Sequence, residues 1–192
     1  KGRNMVEIRW RARGGQGAKT ASLLLANAVF ETGKYVQGFP EYGPERTGAP
    51  LTAYNRIDDE KILIHSNVYN PNYIVVIDET LMDCTPIEDG LKSDGAIIVN
   101  TEKSIEDIRK KLVNKDIKLY TIAADKIALE NIGKAIPNTC MLSAVIKISG
   151  LIKEKDFLEI MQKSLERQFR NKPEVVEGNM NAIKKAWKEI GE

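Results

Sequence analysis

The chain predicts a single α/β domain: three layers, a mostly parallel sheet with helices on both faces, and a helical C-terminal region. Three observations carry this. Val6 to Arg13 alternates with Val6, Ile8, Trp10 and Ala12 on one face, then meets a glycine-rich turn and an apolar helical run. Tyr73 to Ile77 and Ala96 to Val99 are continuous β-branched or apolar runs, the pattern of strands buried on both faces. From Ala123 onward the apolar residues fall at helical spacing. At 192 residues, 42% hydrophobic and 29% charged, the chain is long enough for one real core and has the composition of a globular protein.

The elements follow in order. Ala18, Ala21, Leu24, Leu25, Ala28 and Val29 mark a first helix stopped by Gly33, and Tyr35 to Phe39 reads as a strand. A Pro- and Gly-rich loop spans Pro40 to Pro50. Leu51 to Ile57 alternates as a strand, and Lys61 to His65 is expected to be a short partner beyond the Asp58-Asp59 turn. After the strands at 73–77 and 96–99, Ser104 to Val113 reads as an amphipathic helix with a serine cap and Asp107 at the capping-box position. Ile117 to Ile122 makes a further strand. Helices are then expected over Asp125 to Ile132, Thr139 to Gly150, Glu154 to Phe169 and Pro173 to Ile190. Met5 reads as a natural start, with Lys1–Asn4 an expression remnant and residues 5–192 the domain.

Composition excludes several classes. A net charge of +2 argues against a dedicated nucleic-acid binder. No apolar run approaches the length of a membrane span and no secretory h-region is visible, so the expected location is cytoplasmic. Cys84 and Cys140 lie far apart, and an iron–sulfur cluster takes four thiolates, so this chain holds none alone. The single histidine, His65, makes a hydrolase triad or zinc centre built from this chain improbable, and no metal site is expected.

Chemistry concentrates at Arg13-Gly14-Gly15-Gln16-Gly17-Ala18-Lys19-Thr20. A strand, a glycine-rich turn and a helix N-terminus in that order can present free N–H groups to an anion. A Walker A loop would need glycine where Arg13 and Ala18 stand. The dinucleotide fingerprint would need it at Thr20. The turn therefore reads as an anion site of neither standard type, or as a bare connection. Charge favours the first: Lys1, Arg3, Arg9, Arg11, Arg13 and Lys19 stand against Glu7 alone in the first twenty residues. A second constellation, Phe39 to Pro50, is stiffened by three prolines and presents Glu41, Tyr42, Glu45 and Arg46, with Pro44 and Thr47 beside them. It reads as a binding or interface loop, against a stiff solvated connector.

Together these two motifs resemble the gamma subunit of 2-oxoacid:ferredoxin oxidoreductases, most closely the pyruvate type. Similar proteins carry a G-G-Q-G turn, here Gly14 to Gly17, and an F-P-E-x-G-P-E-R-x-G-A-P loop, matched here at every fixed position. The resemblance continues through Tyr69-Asn70-Pro71-Asn72-Tyr73 into the strand ending at Asp78 and covers most of the chain. One departure is Ala12, where similar proteins often have glycine.

The resemblance implies a part of an enzyme. The family complex converts a 2-oxoacid and coenzyme A to acyl-CoA and carbon dioxide and passes electrons to ferredoxin. Its thiamine diphosphate and [4Fe-4S] clusters belong to the partner alpha, beta and delta (ferredoxin-like) subunits. The present chain has no G-D-G thiamine motif and no catalytic residue of its own. The implied role is to pack on the thiamine-binding subunits and help receive coenzyme A. Gly14, Gly15, Gln16 and Gly17 would take a phosphate with help from Arg13, Lys19 and Thr20. The loop carrying Glu41, Tyr42, Pro44, Glu45, Arg46 and Thr47 would close over the acyl-transfer site or dock on a neighbour, with Arg46 pairing to a carboxylate or phosphate. Two readings remain beside it: a purely structural interface subunit, and a free-standing nucleotide-binding protein.

Overall fold

A computed structural model of the chain describes residues 4–41 and 46–191. Six strands form one sheet in the order β2-β3-β1-β4-β5-β6. They are β1 (Val6–Arg13), β2 (Tyr35–Pro40), β3 (Pro50–Asp58), β4 (Tyr73–Val76), β5 (Ala96–Asn100) and β6 (Lys118–Ile122). β1, β4, β5 and β6 run parallel. β3 pairs antiparallel with both β1 and β2, so the sheet is mixed at one side and parallel through the rest.

The alternation in each strand decides which face it buries. Ile8, Trp10 and Ala12 of β1 join Val75, Ile77 and Ile98 in the main apolar cluster. That face carries α1 (Ala18–Phe30), α3 (Ala124–Ile132), α4 (Asn138–Ser149), α5 (Glu154–Gln168) and α6 (Pro173–Glu189). Ile74, Val76, Ile97, Val99 and Leu119 point the other way. They pack on Leu81 and Met82 of a 3-10 turn, Glu79–Asp83, and on Ile108 of α2 (Ile105–Lys110). β4 and β5 are thus apolar on both faces because both faces are covered. The main cluster also contains a satisfied polar link. Trp10 Nε1 donates to Asn55 Oδ1 at 2.8 Å, and Asn55 Nδ2 donates to the Ser22 and Gln37 carbonyls.

Two expectations fail, each for a visible reason. Lys61 to His65 forms no strand, and His65 is exposed. β3 already lies between β2 and β1, so neither of its edges is free for a hairpin partner. The segment instead offers the Ile64 carbonyl to Gln37 Nε2. α2 ends at Lys110 rather than Val113, although Ser104 caps it as expected by accepting from the Asp107 N–H. The Lys115 ammonium turns back onto the Arg109 and Lys110 carbonyls and closes the helix early, leaving Val113 89% exposed. Helices do flank both faces, but five lie on one side, with α2 and the 3-10 turn on the other.

Candidate functional site

The glycine-rich turn leaves β1 at the carboxyl edge of the parallel strands, where open α/β sheets bind their ligands. Gly15 and Gly17 adopt φ of 92° and 84°, a region that disfavours side chains. Gly14 is needed for a different reason. A Cβ there would sit 3.0 Å from the Arg46 carbonyl carbon and closer still to its oxygen. Gly14 N donates to the Ala49 carbonyl at 2.8 Å, and Gly48 N donates to the Gly14 carbonyl at 3.1 Å. The two motifs, thirty residues apart in sequence, are therefore fastened together at a backbone approach that only glycine permits.

Gln16 locks the turn from inside. Its Oε1 accepts from the Arg13 N–H at 2.6 Å, and its Nε2 donates to Asp78 Oδ2 at 2.6 Å. Asp78 follows β4, and its Oδ1 accepts from both the N–H and the hydroxyl of Thr80. Arg13 Nε lies 3.4 Å from Asp78 Oδ2, Nη2 donates to Thr80 Oγ1, and Nη1 donates to the Gly48 carbonyl. Burial alone would raise the Asp78 carboxyl. The hydrogen bonds from Thr80 and Gln16 and the Arg13 charge outweigh it and hold Asp78 below the usual carboxylate range.

A cavity of about 590 Å³ opens beside the turn, lined by Gly15, Gln16, Gly17, Thr20, Ile77, Asp125, Ala135, Ile136, Pro137 and Asn138. A second crevice of about 370 Å³ shares Gln16, Ile77 and Asp125 with it and continues past Asp78 to Asn100 and Lys103. Three helices begin at the larger cavity: α1 at Gly17, α3 at Ala123 and α4 at Pro137. α1 and α4 have no side-chain cap on the first turn, whereas in α3 Asn100 Oδ1 accepts from the Asp125 N–H at 3.3 Å. Asn138 is 9% exposed, and its Oδ1 is buried without a hydrogen-bond partner. It packs on Gly17, where a Cβ would fall 2.8 Å from its Nδ2. That oxygen is an acceptor left open beside the cavity. Asp125 is held above its ordinary value by burial, against a hydrogen bond from Asn100 and with the nearby negative charges of Asp78 and Glu102 adding to the rise.

Among the residues expected from the sequence, Gly15, Gln16, Gly17 and Thr20 line the cavity. Gly14 fastens the loop, and Arg13 faces Asp78, Thr80 and Gly48. Lys19 is exposed on the first turn of α1. Glu41 and Arg46 are exposed, and Thr47 bridges Gly14. Tyr42, Pro44 and Glu45 lie outside the described residues. Sequence reasoning missed Asp125 and Asn138 as site residues. The signals were there, in the acid at the start of one helix and the Pro-Asn step at the start of the next. Among the described residues no group of three or more His, Cys, Asp and Glu side chains is placed to hold a metal ion, and no helix is long and apolar enough to cross a membrane.

Fold and site together define an α/β protein with a glycine-rich turn beside a cavity at the carboxyl edge of its sheet. The family described as pyruvate ferredoxin/flavodoxin oxidoreductase matches residues 7–189, and the chain belongs to it. It is 47% identical over 186 residues to the pyruvate synthase subunit PorC of Thermotoga maritima, covering 96% of this chain and 94% of that protein. It is 49% identical over 165 residues to the pyruvate/ketoisovalerate oxidoreductases common subunit gamma of Thermococcus kodakarensis, covering 86% and 87%. The crystal structure of pyruvate oxidoreductase subunit PORC from Thermotoga maritima superimposes with a TM-score of 0.85, at 45% identity over 97% of each chain. A 2-oxoglutarate:ferredoxin oxidoreductase from Magnetococcus marinus, with 2-oxoglutarate, coenzyme A and succinyl-CoA bound, matches with a TM-score of 0.73 at 16% identity. That match covers 97% of this chain and 31% of the other, and at this identity it shows the fold alone.

Proposed function

We propose that this chain is the gamma subunit of a pyruvate-type 2-oxoacid:ferredoxin oxidoreductase and helps that complex receive coenzyme A. In this reading the complex oxidatively decarboxylates a 2-oxoacid onto coenzyme A and reduces ferredoxin. Thiamine diphosphate and iron–sulfur clusters reside in the alpha, beta and delta partners. The observation that supports it most directly is the fastening of the Gly14–Gly17 turn to the 46–50 segment beside a cavity where three helices begin, two of them, α1 and α4, without a side-chain cap. Anionic groups of coenzyme A would meet the N–H groups of Gly15, Gly17 and Lys19 with the Thr20 hydroxyl and Lys19 ammonium, the Gln16 N–H being taken by the Arg13 carbonyl. Its amide or hydroxyl donors would meet Asn138 Oδ1 and Asp125. Arg13 and Gln16 would shape the turn from behind. The exposed Glu41 and Arg46 flank the loop that would face a partner subunit.

The test is a tagged purification of the chain from its native extract, followed by pyruvate- and CoA-dependent reduction of a viologen dye. Co-purification of the thiamine-diphosphate and iron–sulfur subunits with that activity supports the reading. A chain that comes down alone without activity defeats it. Within the complex, Asn138→Asp places a negative charge beside the turn and should raise KM for coenzyme A about tenfold or more. An unchanged KM would leave the chain a structural subunit.

A further inference from the structure

We infer that Asp78 is a positioning residue for coenzyme A capture, acting on the ligand only through Gln16 and Arg13. This rests on the reading of the glycine-rich turn as the coenzyme A cradle. Asp78 does not belong to either sequence motif, yet it joins them. Through Gln16 it sets the turn, and through Arg13, whose Nη1 reaches the Gly48 carbonyl, it sets the 46–50 segment.

The argument is one of donor and acceptor polarity. The Gln16 carboxamide has a single useful orientation, because Oε1 is occupied by the Arg13 N–H. Its Nε2 must therefore donate, and the partner opposite must accept. Asp78 Oδ2 does so at 2.6 Å while Oδ1 serves Thr80. A carboxylate meets all of these demands at once, whereas an asparagine of the same shape cannot. If its amide nitrogen faces Gln16, donor meets donor. If it faces Thr80, the Thr80 N–H loses its acceptor. Gln16 could escape only by flipping, which presents Nε2 to the Arg13 N–H and releases the start of the turn. The backbone N–H groups that would bind the anion lie within this turn, so their aim depends on a residue sixty-two positions away.

Polarity can be exchanged as well as broken. Asp78→Asn alone sets donor against donor, and Gln16→Glu alone sets two carboxylates against each other. In the double variant a glutamate at 16 accepts from both the Arg13 N–H and the new amide at 78, whose oxygen still serves Thr80. The pair's net charge is unchanged.

The experiment compares the wild-type complex with both single variants and the double variant. KM for coenzyme A, KM for the 2-oxoacid and kcat at saturating coenzyme A are measured, with a melting curve for each. Each single variant should raise KM for coenzyme A about fivefold or more, with the other two constants within about twofold. The double variant should lose clearly less than the product of the two singles, because its hydrogen-bond polarity is restored while its carboxylate now faces the cavity. Single variants that assemble and keep the wild-type KM for coenzyme A would overturn the inference. So would a double variant at least as impaired as the product of the singles, or a series in which kcat and melting temperature fall while KM for coenzyme A stays put. Asn138→Asp separates this from the parent reading. If that variant leaves KM for coenzyme A unchanged, the cradle itself is wrong. If it raises KM and the 78/16 series does not, only the role of Asp78 is wrong.

Discussion

Replacing Gly14 by alanine would put a methyl group against the carbonyl of Arg46, with the carbonyl carbon at 3.0 Å and the oxygen nearer. Ordinary contacts of this kind are several tenths of an ångström longer, and the obstruction is backbone, which cannot rotate away. The two strands of the contact must separate. Separation stretches the Gly14–Ala49 and Gly48–Gly14 hydrogen bonds, now 2.8 and 3.1 Å. Each is worth about 1 kcal/mol net, and forced overpacking adds about 1–3 kcal/mol. The expected loss is therefore about 3–5 kcal/mol, and at about 2–4 °C per kcal/mol for a chain of this size the melting temperature should fall by about 6–20 °C. Gly15→Ala is the comparison. Its φ of 92° costs an alanine about 1–2 kcal/mol, but nothing lies within 4 Å of the added Cβ. Urea titration of the isolated chain, followed by the fluorescence of Trp10 and Trp187, measures both. A Gly14→Ala variant within 1 kcal/mol of wild type, or a Gly15→Ala variant harmed more than Gly14→Ala, would refute the close-approach argument.

Two further outcomes follow from burial. Burial pushes the Cys140 thiol up to about 12, whereas Cys84 is exposed. Iodoacetamide at pH 8 should label Cys84 in the native chain and reach Cys140 only after unfolding, and rapid labelling of both in native buffer would contradict the packing of α4. Asp125 is raised above its ordinary value, so its ionisation opposes folding. Stability from this group is greatest below the unfolded carboxylate pKa and is lost as pH rises through the higher folded value. Asp125→Asn keeps an acceptor for Asn100 and should melt higher than wild type at pH 7, with the gap closing as pH falls below about 4. A gap that widens toward acid would mean the carboxylate is stabilising. Asp78 has the opposite sign: its contribution is intact above the ordinary carboxylate pKa and fades as pH falls through its depressed one.

The amino-acid sequence determined most of what is local. Alternation over Val6–Arg13, the doubly apolar runs that became β4 and β5, the Ser104 cap and the C-terminal stripes depend on neighbours within a few residues. They were legible for that reason. So were the two motifs, because glycine and proline restrict or release the backbone wherever they stand. The pairing of strands was not legible, and Lys61–His65 shows why. Its pattern suits a strand, but whether an edge is free depends on β2 and β1, which come from elsewhere in the chain. The site followed the same division. Gly15, Gly17 and Gln16 could be singled out by type and spacing. Tertiary structure alone decided that Gly14 would lie against Arg46, that Asp78 would receive Gln16, and that Asn138 and Asp125 would face the same cavity. Those contacts are made across thirty to more than a hundred residues. Their selectivity resides in distances and hydrogen-bond directions, which only the assembled sheet and helices set.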